Sequence, residues 1–440
     1  MCSRLWERDG ARRRGATAEA PSLREIGGGL TFGARVRGTV SMPKLASVAS
    51  LSDDGALGEL HLDALAVITD DLEVSDNTLT NLSLGALASV GGGITLTAQS
   101  LTSVDLGALQ RVSGDIAVEI VLDLPALAMP ALTAVGGDIS INAARSLATL
   151  DLPSLEVVGG GFRVAELPML SVMHASKLRT IGSDDVRGNM SVLATGLEQL
   201  ELGSLAEITG AALIWSNRAL RAVQLPALRI APRISIQASP ALEVVAVPVW
   251  ASVGGLALSE LPALRTLDAG SVVQLGSLTL GQLSLPDLSG LLALTSVTTL
   301  SVDRVDQLKD FRGLASIQRV SILRLSGNSA LSSLDGLEAV SVISGHASIS
   351  GNPVLVSVAG LRNVAAFGAG LEVAGNAVLP AIGLAGLTTI TGDLTLTGNP
   401  ALTSLSGLAA LRSVTGALVV AGNDALPAIE IDALQRRLGK

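Results

Sequence analysis

The sequence predicts an all-β chain, a right-handed parallel β-helix built from about eighteen coils of 21–24 residues each. Three observations carry this expectation. Short alternating apolar pairs recur at a nearly constant period along the chain. Gly, Asn and Pro break each pair in the same way. Finally, 48% of the residues are hydrophobic but only 2% are aromatic, with no Tyr. A core made of Leu, Val, Ile and Ala suits a narrow interior of constant cross-section.

The unit is seen most clearly near the C-terminus. Leu394 and Leu396 alternate with Thr395 and Thr397, and Gly398-Asn399-Pro400 then breaks the strand. Leu402, Leu405, Leu408, Leu411 and Val414 follow at intervals of three, and Thr415-Gly416 closes the unit. Followed backward, units open at Leu30, Leu51, Leu72, Ile94, Ile116, Ile139, Phe162, Met190, Ala212, Ile234, Leu256, Leu278, Leu300, Leu323, Ala347, Leu371, Leu394 and Leu418. Many carry a second alternating pair about eleven residues on, as in Leu150-Asp151-Leu152-Pro153. An apolar spacing of three drifts by roughly 60° per step on an α-helix and makes no single apolar face there. A polygonal coil that stacks on its neighbours in parallel does accommodate it, and since no coil buries its apolar side alone, stability comes from stacking.

One polar column is expected inside this pattern. Asn328, Asn352, Asn376, Asn399 and Asn423 each lie five residues after the opening residue and each follows a Gly. Asn tolerates left-handed backbone and bonds to nearby main chain, so these five are expected to stack as a structural ladder rather than a ligand-binding stripe. Asn77 and Asn217 are expected at the same place in earlier coils. The step from Phe162 to Met190 is longer than the others. Its extra residues, Ser183 to Asn189, form the candidate binding loop, with Asp184, Asp185 and Arg187 as candidate ligand contacts.

Residues 1–28 read as a charged, disordered tail and residues 29–440 as one solenoid, with sub-arrays 29–322 and 323–440. The boundary rests on the Asn row, which is continuous only after Leu323. The net charge of −9 gives no footprint for nucleic acid. No apolar run is long enough to span a membrane, and the Arg-rich start holds no signal-peptide stretch. The single cysteine, Cys2, excludes an internal disulfide framework.

Catalytic chemistry is sparse. His61, His174 and His346 fall in different coils without metal-ligand spacing, and no cofactor motif is present. The acid pairs Asp53-Asp54, Asp70-Asp71 and Asp184-Asp185 sit at expected turns, where solvated carboxylates belong. Trp6, Trp215 and Trp250 are spread over distant coils, unlike the sugar-gripping aromatics of β-helix lyases and hydrolases. The chain is therefore expected not to be an enzyme.

The stretch Gly392-Asp393-Leu394-Thr395-Leu396-Thr397-Gly398-Asn399-Pro400-Ala401-Leu402-Thr403-Ser404-Leu405 resembles the repeat of receptor L domains, particularly their uninterrupted forms in bacterial surface proteins and fungal cell-wall proteins. The resemblance covers roughly residues 30–435 and lacks the receptors' cysteine-rich regions. The leucine-rich repeat is the neighbouring family. There the strand Leu is preceded by a Leu at three residues and the Asn followed by one at two; here the spacings are four, Ile390 to Leu394, and three, Asn399 to Leu402. The resemblance implies a non-catalytic recognition or structural module that binds a protein or glycan at the cell envelope, surface-exposed or secreted. An intracellular leucine-rich-repeat scaffold and a β-helix polysaccharide lyase or hydrolase are the alternatives. If stacking on earlier coils is essential, a 323–440 fragment should lack a cooperative urea transition that the full chain shows; a stable, cooperative fragment would refute this.

Overall fold

The structure is a computed structural model that describes residues 17–251 and 253–440. Cys2 and Trp6 lie outside the described residues. The chain divides into two compact units, one ending at Leu220 and the other beginning at Arg221. This boundary differs from the expected division after residue 322.

Each unit is a parallel β-solenoid. In unit 1 nine opening strands stack in register through Leu30, Leu51, Leu72, Ile94, Ile116, Ile139, Phe162, Met190 and Ala212. In unit 2 nine more stack through Ile234, Leu256, Leu278, Leu300, Leu323, Ala347, Leu371, Leu394 and Leu418. All eighteen are the openings read from the sequence. Because side chains alternate across a strand, each opening residue and the one two beyond it point into the core. Ile139 and Ile141 are fully buried while Ser140 and Asn142 lie on the outer face.

The spacing of three has a local cause. Corners between inward leucines are tight turns whose amide bonds three residues back, as in Leu65 to Leu62 and Leu87 to Leu84. Both ends of such a turn face inward. In unit 2 several corners lengthen into 3₁₀ turns at Ser289–Leu291, Arg312–Leu314, Ala359–Leu361 and Ser406–Leu408. Three residues per 3₁₀ turn put every third Leu on one face. Leu405, Leu408 and Leu411 are accordingly buried and joined by bonds from Leu408 to Leu405 and from Leu411 to Leu408.

The two ends depart from the sequence reading. Thr17–Glu19 and Glu25–Ile26, expected to belong to a disordered tail, are strands that pair in parallel with Arg37–Ser41 and Ser47–Val48. At the other end Ala428–Leu438 is an α-helix, not a β-coil. Leu426 and Leu434 bury against the last coil, and the Glu430 carboxylate accepts the Leu405 amide at 2.9 Å. The helix stops at Gly439 in the left-handed conformation. Among the described residues no helix is long and apolar enough to cross a membrane.

A left-handed residue marks one corner of every coil from Ile116 onward. It lies four residues after the opening residue: Ile120, Ala143, Glu166, Ala194 and Ser216 in unit 1, then Ala238, Glu260, Gln282, Arg304, Gly327, Gly351, Gly375, Gly398 and Gly422 in unit 2. It adds one residue to the corner and turns the next side chain inward. In this conformation a non-Gly side chain crowds the following carbonyl at a cost of roughly 1–2 kcal/mol, partly offset by the greater unfolded-state freedom of Gly. Ala143→Gly should therefore raise the unfolding free energy by about 0.5–1 kcal/mol, and Gly351→Ala should lower it by a similar amount. Paired urea titrations check both signs. At Gly351 an added methyl would meet nothing closer than 3.9 Å, so a loss there reports the backbone angle alone.

Candidate functional site

The five C-terminal asparagines form one hydrogen-bonded column. Asn328, Asn352, Asn376 and Asn399 are fully buried. The Asn328 backbone amide and Nδ2 both donate to Asn352 Oδ1, at 3.1 and 3.0 Å. The pattern repeats from Asn352 to Asn376, from Asn376 to Asn399 and from Asn399 to Asn423. Each Nδ2 also reaches a strand carbonyl: Val302 from Asn328, Leu325 from Asn352, Ile349 from Asn376 and Val373 from Asn399. The first rung is closed by the Val305 amide donating to Asn328 Oδ1 at 2.9 Å. With their amide groups so engaged and no solvent access, the buried rungs have nothing left to offer a ligand.

Asn217 occupies the equivalent place in unit 1. It is buried, accepts from the Thr195 amide and hydroxyl at 2.9 and 2.8 Å, and donates to the Val192 carbonyl. Asn77 does not share that place. Its coil lacks the left-handed residue, so the corner is one residue shorter; Asn77 is exposed and accepts the Gln99 amide at 3.3 Å, while Asp76 is buried instead.

The acid pairs are not equivalent to one another. Asp71 Oδ1 accepts the Gly93 amide of the next coil, as Asp115 does from Asp138 and Asp138 from Gly161, so these carboxylates hold the closing corner. Asp53 is no solvated turn residue. It ends the opening strand Leu51–Asp53, is fully buried, and stacks between Phe32 and Val74 in the apolar column. Its Oδ1 accepts the Gly55 amide at 3.1 Å, whereas Oδ2 is buried without a partner. Burial, reinforced by the charges of Asp76 and Asp54 against the opposing Gly55 bond, pushes its pKa up to about 6.

The histidines remain separate. His61 Nε2 lies 3.3 Å from Glu59, which also accepts from Thr39, and His174 Nδ1 lies 3.0 Å from Asp151 in the preceding coil. Among the described residues no group of three or more His, Cys, Asp or Glu is placed to hold a metal ion.

The inserted loop is tied down by its neighbours. The Thr209 hydroxyl donates to the Val186 carbonyl at 3.0 Å and accepts the Gly188 amide at 2.9 Å. Asn189 Oδ1 accepts the Ala211 amide at 2.8 Å. Asp184, Asp185 and Arg187 point to solvent, beside the exposed Val186. The loop leads directly into Met190–Thr195, which pairs with Ala211–Trp215.

The outer face of these two strands is unlike the rest of its sheet. Elsewhere in unit 1 the outward positions hold Thr31, Ser52, Glu73, Thr95, Ser75, Thr97, Glu119 and Asn142, with Ala117 the small exception. Here they hold Leu193, Leu213 and Trp215, all half-buried, with Leu193 beside Trp215 in register and Ala165 on the other side of Leu193. Arg163 flanks the patch and stands in register with Ser191. Trp250, by contrast, is a core residue whose Nε1 donates to the Ala231 carbonyl at 3.1 Å. The alternation of Ala212 and Ile214 with Leu213 and Trp215 was the signal that could have found this patch.

No family model matches the chain, and no curated protein matches it. Among solved structures it is similar to a leucine-rich-repeat protein of Leptospira interrogans, at 14% identity over 86% of this chain and 89% of that one, with a TM-score of 0.29. It is also similar to TLR13 in its complex with ssRNA13, at 13% identity over 88% and 87% of the two chains, with a TM-score of 0.18. Scores this low carry no argument about function.

The ladder's geometry yields a stability prediction. Asn376→Leu keeps a similar volume but removes the amide that serves Asn352 on one side and Asn399 on the other. The stranded groups should cost about 2–4 kcal/mol, more than the left-handed-corner substitutions above. A urea titration of the full chain would show a midpoint shift of that order.

Proposed function

We propose that the chain is a non-catalytic recognition scaffold that binds a protein partner on the outer face of unit 1, at Leu193, Leu213 and Trp215. The observation that carries this reading is the break in the outward columns. In the coils before them the matching outward positions hold mostly Thr, Ser, Glu and Asn, so parallel stacking by itself does not call for an indole and two leucines there. Aromatic residues framed by aliphatics are the usual centre of a protein interface. Asp184, Asp185 and Arg187 in the adjoining loop supply a charged rim, which governs partner choice and encounter rate more than affinity. Two leucines beside the indole favour an apolar side chain over the hydroxyls of a glycan, which would need polar groups in their place. An L-domain-like role at the cell envelope rests on the resemblance of the repeat motif.

Site-specific photocrosslinking tests the reading. A photoreactive phenylalanine analogue at position 213 or 215 should capture one protein species in the native cell, and the same analogue at Thr95 should not. Trp215→Ala should weaken that complex roughly 10- to 100-fold while leaving the thermal transition within a few degrees. Equal capture from position 95, or capture of glycan alone, would refute the protein-binding assignment.

A further inference from the structure

The fully buried acid in unit 1 points to a device separate from the outer patch. Asp53 occupies a position that is Phe32 in the preceding coil and Val74 in the following one. The groups around it offer no compensating charge. Arg35 and Arg37, which follow the preceding strand, are exposed. Glu59 and His61 face outward from Ala56–His61 and contact each other. Glu73 faces outward from Leu72–Val74, and Asp54 is exposed.

Asp76 is the remaining titratable group, and it is buried too. Its oxygens are well served: Oδ1 accepts the Thr78 amide and hydroxyl at 2.8 Å each, and Oδ2 accepts the Leu57 amide. Asp53 has one donor on one oxygen and none on the other. Of the two buried acids, Asp53 is the one with a buried oxygen that meets no donor.

We propose that Asp53 is a pH-sensitive latch on the N-terminal coils of unit 1: neutral, it lets the coils between Leu30 and Leu60 close on one another, and ionised, it opens them locally while the coils from Ile116 onward stay shut. A buried charge without a partner is relieved when its coil opens locally and water reaches the carboxylate. The direction follows from linkage. The folded group holds its proton up to about pH 6 against an ordinary value of 3.8. The closed coils therefore bind more protons than the opened ones in that interval. Their stability is complete below it and is lost as pH rises through it.

Hydrogen exchange on the full chain tests this. Between about pH 5 and about pH 7.5, after correction for intrinsic exchange, protection across Leu51–Leu60 should fall by about 10-fold, while protection across Ile139–Ile214 should hold. Asp53→Asn should keep the N-terminal coils protected at both pH values. Asp53→Val, which repeats the residue type of the next coil, should do the same and serves if the Asn variant folds poorly. Protection that does not change with pH in the natural chain, or a pH dependence that survives in both variants, would overturn the latch. A carboxyl ¹³C titration of the natural chain gives an independent reading: a midpoint for Asp53 near 4 would also overturn it.

Discussion

Everything in these two units depends on register. A coil of 21–24 residues has too little interior to bury its own apolar side, and its strand amides and carbonyls find partners only in the coils above and below. Each residue is therefore judged by the residues one period away. That constraint makes the inward columns nearly uniform, and it explains the Asn ladder. One amide among leucines would strand several polar groups in an apolar column. Five amides in succession satisfy one another, and the first is closed by the Val302 carbonyl and the Val305 amide. Thr195 and Asn217 form a smaller version of the same arrangement in unit 1.

The period was legible because this constraint is written into it. Within each unit the nine openings align in register, since a shift of one residue would turn every inward Leu out to water. Other features left weaker traces. The spacing of three in Leu405, Leu408 and Leu411 was visible, but it reflects i→i+3 turns rather than flat strands. The left-handed corner left no residue signature over nine coils, because Ile120, Glu166, Gln282 and Arg304 occupy it as well as Ala and Ser do. The backbone there is held by the stack, not chosen by local preference. The C-terminal helix leaves no trace in the period, because the 21–24-residue repeat carries no information about what covers its last coil. Ala428–Leu438 does so with Leu434 facing in and charged residues facing out.

The candidate site was less legible for a related reason. Tryptophans spaced far apart in sequence look scattered, and acids next to one another look alike. Neither measure is the relevant one in a solenoid, where column and face decide. By column, Trp250 faces the core and Trp215 does not, although both lie in similarly apolar stretches. By column, Asp53 falls on an inward strand position and Asp54 on an outward one, so a single pair holds a buried carboxyl and a solvated one. The loop from Ser183 to Asn189 was found by its length alone, and its bearing on the patch comes from Asn189, which ties it to the strand carrying Leu213 and Trp215.

These two departures are of opposite kinds, and their costs separate them. An apolar residue on the outer face costs the fold little, because roughly half of any protein surface is apolar; Leu193, Leu213 and Trp215 are unusual as a contiguous group among outward positions that are mostly polar elsewhere in unit 1. A carboxyl in an inward column is costly at every pH where it is charged, and replacing it with the Val of the next coil would remove the cost at once. The polar rows at the closing corner and in the ladder are fully engaged and explain themselves structurally. Asp53 Oδ2 is engaged by nothing among the described residues. Asn142 Oδ1 is the other buried oxygen without a partner, but it belongs to a neutral amide; at Asp53 the missing donor bears on a group that can ionise, and so makes its burial depend on pH.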